Sequence, residues 1–196
     1  MNIITVPHHT LRQIAKPITT IDKKVLTLLR GLGDTLEKKE NPRGVGLAAP
    51  QIDELYRVFA TFLPASGRRE DENPLLRLFI NPEVTDHSET LTFGPDPEEP
   101  ILEGCLSIPS FYGPVPRFEW VEVKFQEVQH GNFITKSERF SEFHARVIQH
   151  EYDHLDGRLF IDYSIELDLP LYKERGKKMD EMSAEMAKAF YTHTFI

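Results

Sequence analysis

One cysteine in 196 residues, Cys105, leaves no partner for an intrachain disulfide. A chain folded in a reducing compartment is the expectation that follows. No apolar run is long enough to cross a bilayer. The start, Met1-Asn2-Ile3-Ile4-Thr5-Val6-Pro7, lacks the basic-then-apolar order of a signal peptide, so a soluble intracellular protein is expected. Positive charge is also scarce. A formal net charge of -8 argues against a nucleic-acid binder, whose phosphate contacts need a basic face. Gly44-Val45-Gly46 is not followed by Gly-Lys-Ser/Thr, so it is no phosphate loop. There is no internal repeat and no linker, and 40% hydrophobic residues suffice for one domain spanning 1–196.

The elements that are present come in two periods. Asp22 is placed to cap a helix carrying Val25, Leu28, Leu29, Leu32 and Leu36, which Asn41-Pro42 should end. Gly31 and Gly33 inside it each cost about 1 kcal/mol against alanine. Tyr56 to Phe62 and Arg77 to Ile80 read as strands, Leu91-Thr92-Phe93 as a short one. Gly67 to Asn73 reads as a solvated loop and Gly94 to Pro100 as an exposed, acidic, proline-rich one. Trp120 to Phe125 alternates, and Phe133 to Phe140 returns beside it across Gln129-His130-Gly131-Asn132, which predicts a hairpin. From Glu142 the period becomes helical, with Phe143, Val147 and Ile148 facing inward. The tail from Lys177 to Phe190 puts Met179, Met182, Met186 and Phe190 on one stripe. That predicts an amphipathic helix packed on the body, with a Met-rich partner face as the alternative.

Chemistry concentrates in His150-Glu151-Tyr152-Asp153-His154. Residues four apart on a helix share a face, so His150 and His154 can chelate one divalent metal, with Glu151 beside them as a base. A catalytic site needs a third protein ligand. The extended protease motif would put a histidine at position 160, where this chain has Phe160; Glu166 and Glu174 remain for a zinc metallopeptidase. Cys105 fits better. A thiolate with two imidazoles is a recognised set that leaves one position open. A lone cysteine is otherwise a small buried apolar residue. His144 falls about 240° around the helix from His150 and points elsewhere. His8, His9, His87, His130 and His193 fall in loops or ends and are expected in solvent.

Three stretches, Gly44-Val45-Gly46-Leu47-Ala48-Ala49-Pro50-Gln51, Glu103-Gly104-Cys105-Leu106-Ser107 and Gln149-His150-Glu151-Tyr152-Asp153-His154, resemble in sequence and order the motifs of the peptide deformylases. Leu11-Arg12, Asn81-Pro82, Val115-Pro116-Arg117 and Asp156-Gly157 extend the likeness over residues 1–165, leaving 166–196 as a C-terminal extension with its helix. The resemblance implies an α+β fold, antiparallel sheets packed around the central metal-binding helix. It implies removal of the formyl group from N-formylmethionyl nascent polypeptides, with association with the ribosome open. The lack of a transit segment favours a bacterial cytoplasm, an organelle being the alternative, and neither nucleic acid nor membrane is expected as partner.

It also implies Fe2+ as the native ion, with Zn2+ or Ni2+ able to occupy the same ligands, Cys105, His150 and His154. Glu151 would be the base. The Gln51 amide and the Leu106 N–H would be the oxyanion donors, and Gly44, Val45, Gly46 and Gly104 the substrate-binding backbone. Glu103 and Arg117 match positions that pair near the metal loop, with a surface pair worth under about 1 kcal/mol as the alternative. Tyr112-Gly113 departs from the family's Arg-Gly, and the acidic loop is longer than usual; both bear on substrate preference. A module that binds formylated peptides without turnover would not need Glu151 beside a metal.

Overall fold

The computed structural model describes residues 1–64, 73–96 and 98–195. Most of the loop expected at 67–73 and Pro97 of the acidic loop therefore lie outside the described residues. The chain runs α1 (Lys23–Glu37), β1 (Gly46–Ala48), β2 (Val58–Pro64), β3 (Pro74–His87), β4 (Leu91–Thr92), β5 (Leu102–Cys105), β6 (Ile108–Pro114), β7 (Arg117–Phe118), β8 (Trp120–Gln129) and β9 (Asn132–Ser141). Then come α2 (Glu142–Leu155), α3 (Phe160–Glu166), β10 (Tyr172–Arg175), β11 (Lys178–Glu181) and α4 (Ala184–Phe195). The strands make antiparallel sheets in the orders β1-β2-β3-β8-β9, β11-β10-β6-β5 and β4-β7.

Side chains alternate across a strand, and at β1 and β2 both faces of the larger sheet are buried. Val58, Ala60 and Ile80 face Leu28, Leu32 and Leu36 of α1. Phe59 and Phe79, from the same strands, face the other way with Phe125 and Phe140, against Ala145 and Ile148 of α2. That is why β2 reads as a continuous apolar run rather than an alternating one. The result holds α2 between the sheets, with eight of its residues buried.

Asp22 caps α1 as expected, accepting from the Val25 N–H at 2.8 Å. The helix stops earlier than expected, at Glu37 with Lys38 as cap. Gly33 is matched to its neighbour: a Cβ there would stand 2.7 Å from Leu76 Cδ2. The hairpin between β8 and β9 turns at His130 and Gly131, both at positive φ (51° and 79°), as a tight two-residue turn requires.

Two expectations are corrected. β3 does not stop at Ile80 but continues through a bulge to His87. Asn81 sits there at φ 49°, and its side chain both donates to and accepts from the Ile18 backbone, so Pro82 is absorbed rather than ending the strand. His87 accordingly ends a strand, stacked on Phe118, though it is exposed as expected.

The tail is not one helix from Lys177. Gly176, at φ 65°, turns β10 into β11, and helix begins only at Ala184. Met179 therefore lies on a strand and Met186 is exposed. The packed face is Ala187, Phe190 and Tyr191 together with Met182, against Ile161, Leu171 and Phe111. None of the described helices is long and apolar enough to cross a membrane.

Candidate metal centre

Three separate parts of the chain meet beside α2. Cys105 ends β5, and Leu106-Ser107 form the tight turn into β6. His150 and His154 come from successive turns of α2. Their rings stand 5.1 Å apart and nearly perpendicular. One donor atom from each of the three residues lies within 4.8 Å of the others, and Cys105 Sγ is 3.3 Å from His154 Nε2. Tetrahedral ligands at metal bonds of about 2.0–2.3 Å are separated by roughly 3.6 Å, so the spacing fits one ion. Among the described residues this is the only cluster of its kind, and it contains no glutamate. Glu166 instead pairs with Arg158 at the surface, and Glu174 accepts from Tyr112. Phe160, where the longer protease motif needs histidine, is buried at the start of α3.

Burial opposes charge on His150, but its hydrogen bonds to Cys105 and Glu103, with the Cys105 and Glu151 charges, carry its pKa well above the ordinary value. Burial and the His150 charge hold His154 well below, so that ring stays a neutral donor. Burial pushes Glu151 up to about 7, against the pull of His150 and Arg117. Two buried atoms here, Glu151 Oε2 and His154 Nδ1, have no hydrogen-bond partner among the described residues.

A second layer fixes the first. Glu103 accepts from His150 Nδ1 at 3.0 Å, which leaves Nε2 for a metal. The same carboxylate takes two bonds of 2.9 Å from Arg117 and one of 2.9 Å from Arg146. Burial alone would raise the Glu103 pKa; the Arg117 charge and hydrogen bonds outweigh it and hold the carboxyl well below the usual range. The surface reading of Glu103 and Arg117 is thus overturned, since both are almost wholly buried. Arg117 also reaches Asp153 at 2.6 Å, and Tyr163 donates to Asp153, so Asp153 faces away from the cluster. Arg146, one helical turn before His150, was not singled out from sequence. Its position four residues back on the same face was the available signal.

Gln51, in the turn after β1, is oriented by its own neighbours. Its Oε1 accepts from the Ala48 N–H at 2.8 Å, which turns Nε2 toward Cys105 Sγ (3.4 Å) and Ser107 Oγ (3.3 Å). Ser107 N–H also donates to the Cys105 sulfur. Gly44, Val45, Gly46, Gly104 and Leu106 all line one cavity of about 620 Å³ with Cys105, His150 and Glu151. A Cβ on Gly46 would stand 2.3 Å from Glu151 Oε1, so that glycine makes room for the carboxylate itself. His144 is turned away to the Pro64 backbone, and burial lowers its pKa.

The sequence model of the polypeptide deformylase family matches residues 1–169. The peptide deformylase of Desulfotalea psychrophila is 34% identical over 91% of this chain and 95% of its own. That of Chromohalobacter salexigens is 35% identical over 96% and 98%. Among solved structures, a class I type b peptide deformylase from Acinetobacter baumannii with Met-Ala-Ser bound superposes with a TM-score of 0.69 at 29% identity, covering 83% of this chain and 97% of that one. A probable peptide deformylase from a Synechococcus phage gives 0.68 at 31%, covering 83% and 98%. A match over most of the length, two curated relatives above 30% identity and a shared mixed fold leave one conclusion: the chain belongs to the polypeptide deformylase family.

Proposed function

We propose that Cys105, His150 and His154 hold the ion, that Glu151 moves the proton, and that Gln51 with the Leu106 N–H receives the developing oxyanion. The reaction itself follows from the family: this enzyme hydrolyses the formyl amide at the start of newly made polypeptides, releasing formate and a free amino terminus. The observation that carries the assignment of roles is the meeting of three donors, a buried carboxylate and an aimed amide at one cavity.

A bound divalent ion supplies Lewis acidity, which makes water a competent nucleophile at neutral pH. Glu151 is suited to take the water proton as the oxygen attacks the formyl carbon, because its Oε2 has no partner among the described residues. The same proton then goes to the departing nitrogen as the C–N bond breaks. Gln51 cannot turn its amide without losing the Ala48 bond, so its N–H is fixed before charge develops; such a donor is typically worth about 3 kcal/mol. Substrate would lie extended. β1 and β5 are each at the edge of a sheet, and Gly44 to Gly46 and Gly104 line the cavity between them, which supports pairing like an added strand. The tail belongs to this unit, since β10 brings Glu174 to the same cavity.

Ferrous iron is the native ion in this reading, with zinc or nickel able to take its place; the thiolate–imidazole set suits all three. Encounter with the nascent chain at a bacterial ribosome completes it, supported by the bacterial relatives, and co-sedimentation with translating ribosomes is its check. For the roles, Glu151→Ala is expected to keep its metal and lose about 10²- to 10⁴-fold in formate release from formyl-Met-Ala-Ser. Turnover near that of the parent would remove Glu151 from the mechanism.

A further inference from the structure

The cavity beside the donor cluster is lined by charge of both signs. Apart from the three donors, Glu151 and Tyr112, its ionisable residues are few. Glu103 and Arg146 pair with each other. Lys39 and Arg43 precede β1, and Lys39 Nζ donates to the Asn41 carbonyl at 2.8 Å. From the other sheet, β10 brings a single acid, Glu174.

A chain of contacts ties the Glu174 carboxylate to the cluster. Tyr172 of β10, Tyr112 of β6 and Gly104 of β5 stand level across three neighbouring strands. The Tyr112 ring lies over Gly104, where a Cβ would stand 2.6 Å from its Cε1. The Tyr112 hydroxyl is in turn 3.4 Å from Glu174 Oε2. Gly104 immediately precedes Cys105, so the path from sulfur to carboxylate is on the order of 10 Å, about three residues of extended chain. β5 meets the cluster only at its end, Cys105. A substrate running along this strand from the cleaved bond therefore passes Gly104 next, beside Tyr112 and Glu174.

The neighbouring cations are engaged elsewhere. Lys173 Nζ stands 5.3 Å from the centre of the Phe111 ring, and Arg175 pairs with Asp180 at 3.5 Å. Glu174 itself forms no ion pair among the described residues, and the residue against it, Tyr112, brings a hydroxyl rather than a charge. A positive side chain on the substrate would complete it.

We propose that Glu174 selects nascent chains carrying arginine or lysine one or two residues after the formylmethionine. The proposal rests on the deformylase reading and leaves the hydrolysis unchanged. Glu174 is exposed, so water and salt weaken the attraction, and the preference is a factor of about two to five.

The test is kcat/KM for formate release by the metal-loaded enzyme on the peptide amides formyl-Met-X-Ser and formyl-Met-Ala-X, where X is arginine, citrulline or glutamate. Citrulline keeps the shape of arginine without its charge. At low salt the arginine peptide is expected about two- to fivefold above citrulline at one of the two positions, with glutamate lowest. Glu174→Gln should bring the ratio of arginine to citrulline to about one, Glu174→Arg should invert it, and salt at about 0.5 M should shrink the wild-type ratio. A ratio taken on one protein cancels any general loss of activity. A wild-type ratio of one at both positions, or a ratio that Glu174→Gln leaves unchanged, overturns the proposal. So does glutamate above citrulline, which would give the preference to Lys39 and Arg43. No formate from any of these peptides would instead refute the deformylase reading, and this proposal with it.

Discussion

Replacing Glu103 by glutamine removes one charge and almost no volume from the middle of the site. The carboxylate accepts four hydrogen bonds, two from Arg117, one from Arg146 and one from His150. Each oxygen faces two donors, so whichever way the amide turns, its NH2 group points at two N–H groups. Two buried guanidinium groups lose their shared counter-charge, and breaking a buried pair in this way costs about 3–5 kcal/mol. Against a typical total of ~5–15 kcal/mol, that is a large share. Urea unfolding of Glu103→Gln should show a midpoint lowered accordingly with an unchanged slope.

Metal affinity, read by chelator competition, should fall about 10- to 100-fold, because His150 loses the group that orients it. The pH dependence has a definite sign. The folded carboxyl titrates below its ordinary 4.5, so its stabilisation is complete above that pH and is lost as pH falls through the lower folded value. The parent should carry that acid-side slope and the variant should lack it. A stability change under about 1 kcal/mol, with metal affinity intact, would refute the view that Glu103 organises the site.

Gly46→Ala brings a methyl to 2.3 Å from Glu151 Oε1, so the carboxylate must move while the three donors need not. Formate release should drop by at least about 100-fold, given the demand for positioning, with one metal per chain still bound; normal turnover would mean Glu151 is free to shift. Cys105→Ser should lose most metal under chelator challenge, since a neutral hydroxyl replaces the thiolate. Full retention would exclude Cys105 as a ligand.

Local pattern made much of this legible. Asp22 with its Leu stripe, the alternation at Val121, Val123 and Phe125, and the His130-Gly131 turn each form on short-range rules, and they stand where the sequence puts them. The failures are of one kind. Asn81-Pro82 looks like a stop until Ile18, far away in the chain, is seen to pair with the Asn81 side chain. The methionine stripe looks helical because Met179, Met182 and Met186 happen to suit a period that Gly176 breaks. The donors, Glu151 and Gln51 lie in compact motifs and could be found individually. Arg146 carried only its place one turn before His150, and an arginine on a helix reads as a surface residue until the acid opposite it, Glu103, is in place. Likewise Gly46 is explained by Glu151, not by its own neighbours in sequence.

The central claim is that one ion on Cys105, His150 and His154, together with Glu151, hydrolyses a formyl amide. One preparation tests it: protein purified without oxygen, its metal content measured, and formate release from formyl-Met-Ala-Ser followed before and after chelation. The account predicts one divalent ion per chain, formate in step with freed amine, loss of activity on chelation and its return with Fe2+. Formate release that survives complete removal of the metal, or internal peptide cleavage without formate, would contradict it.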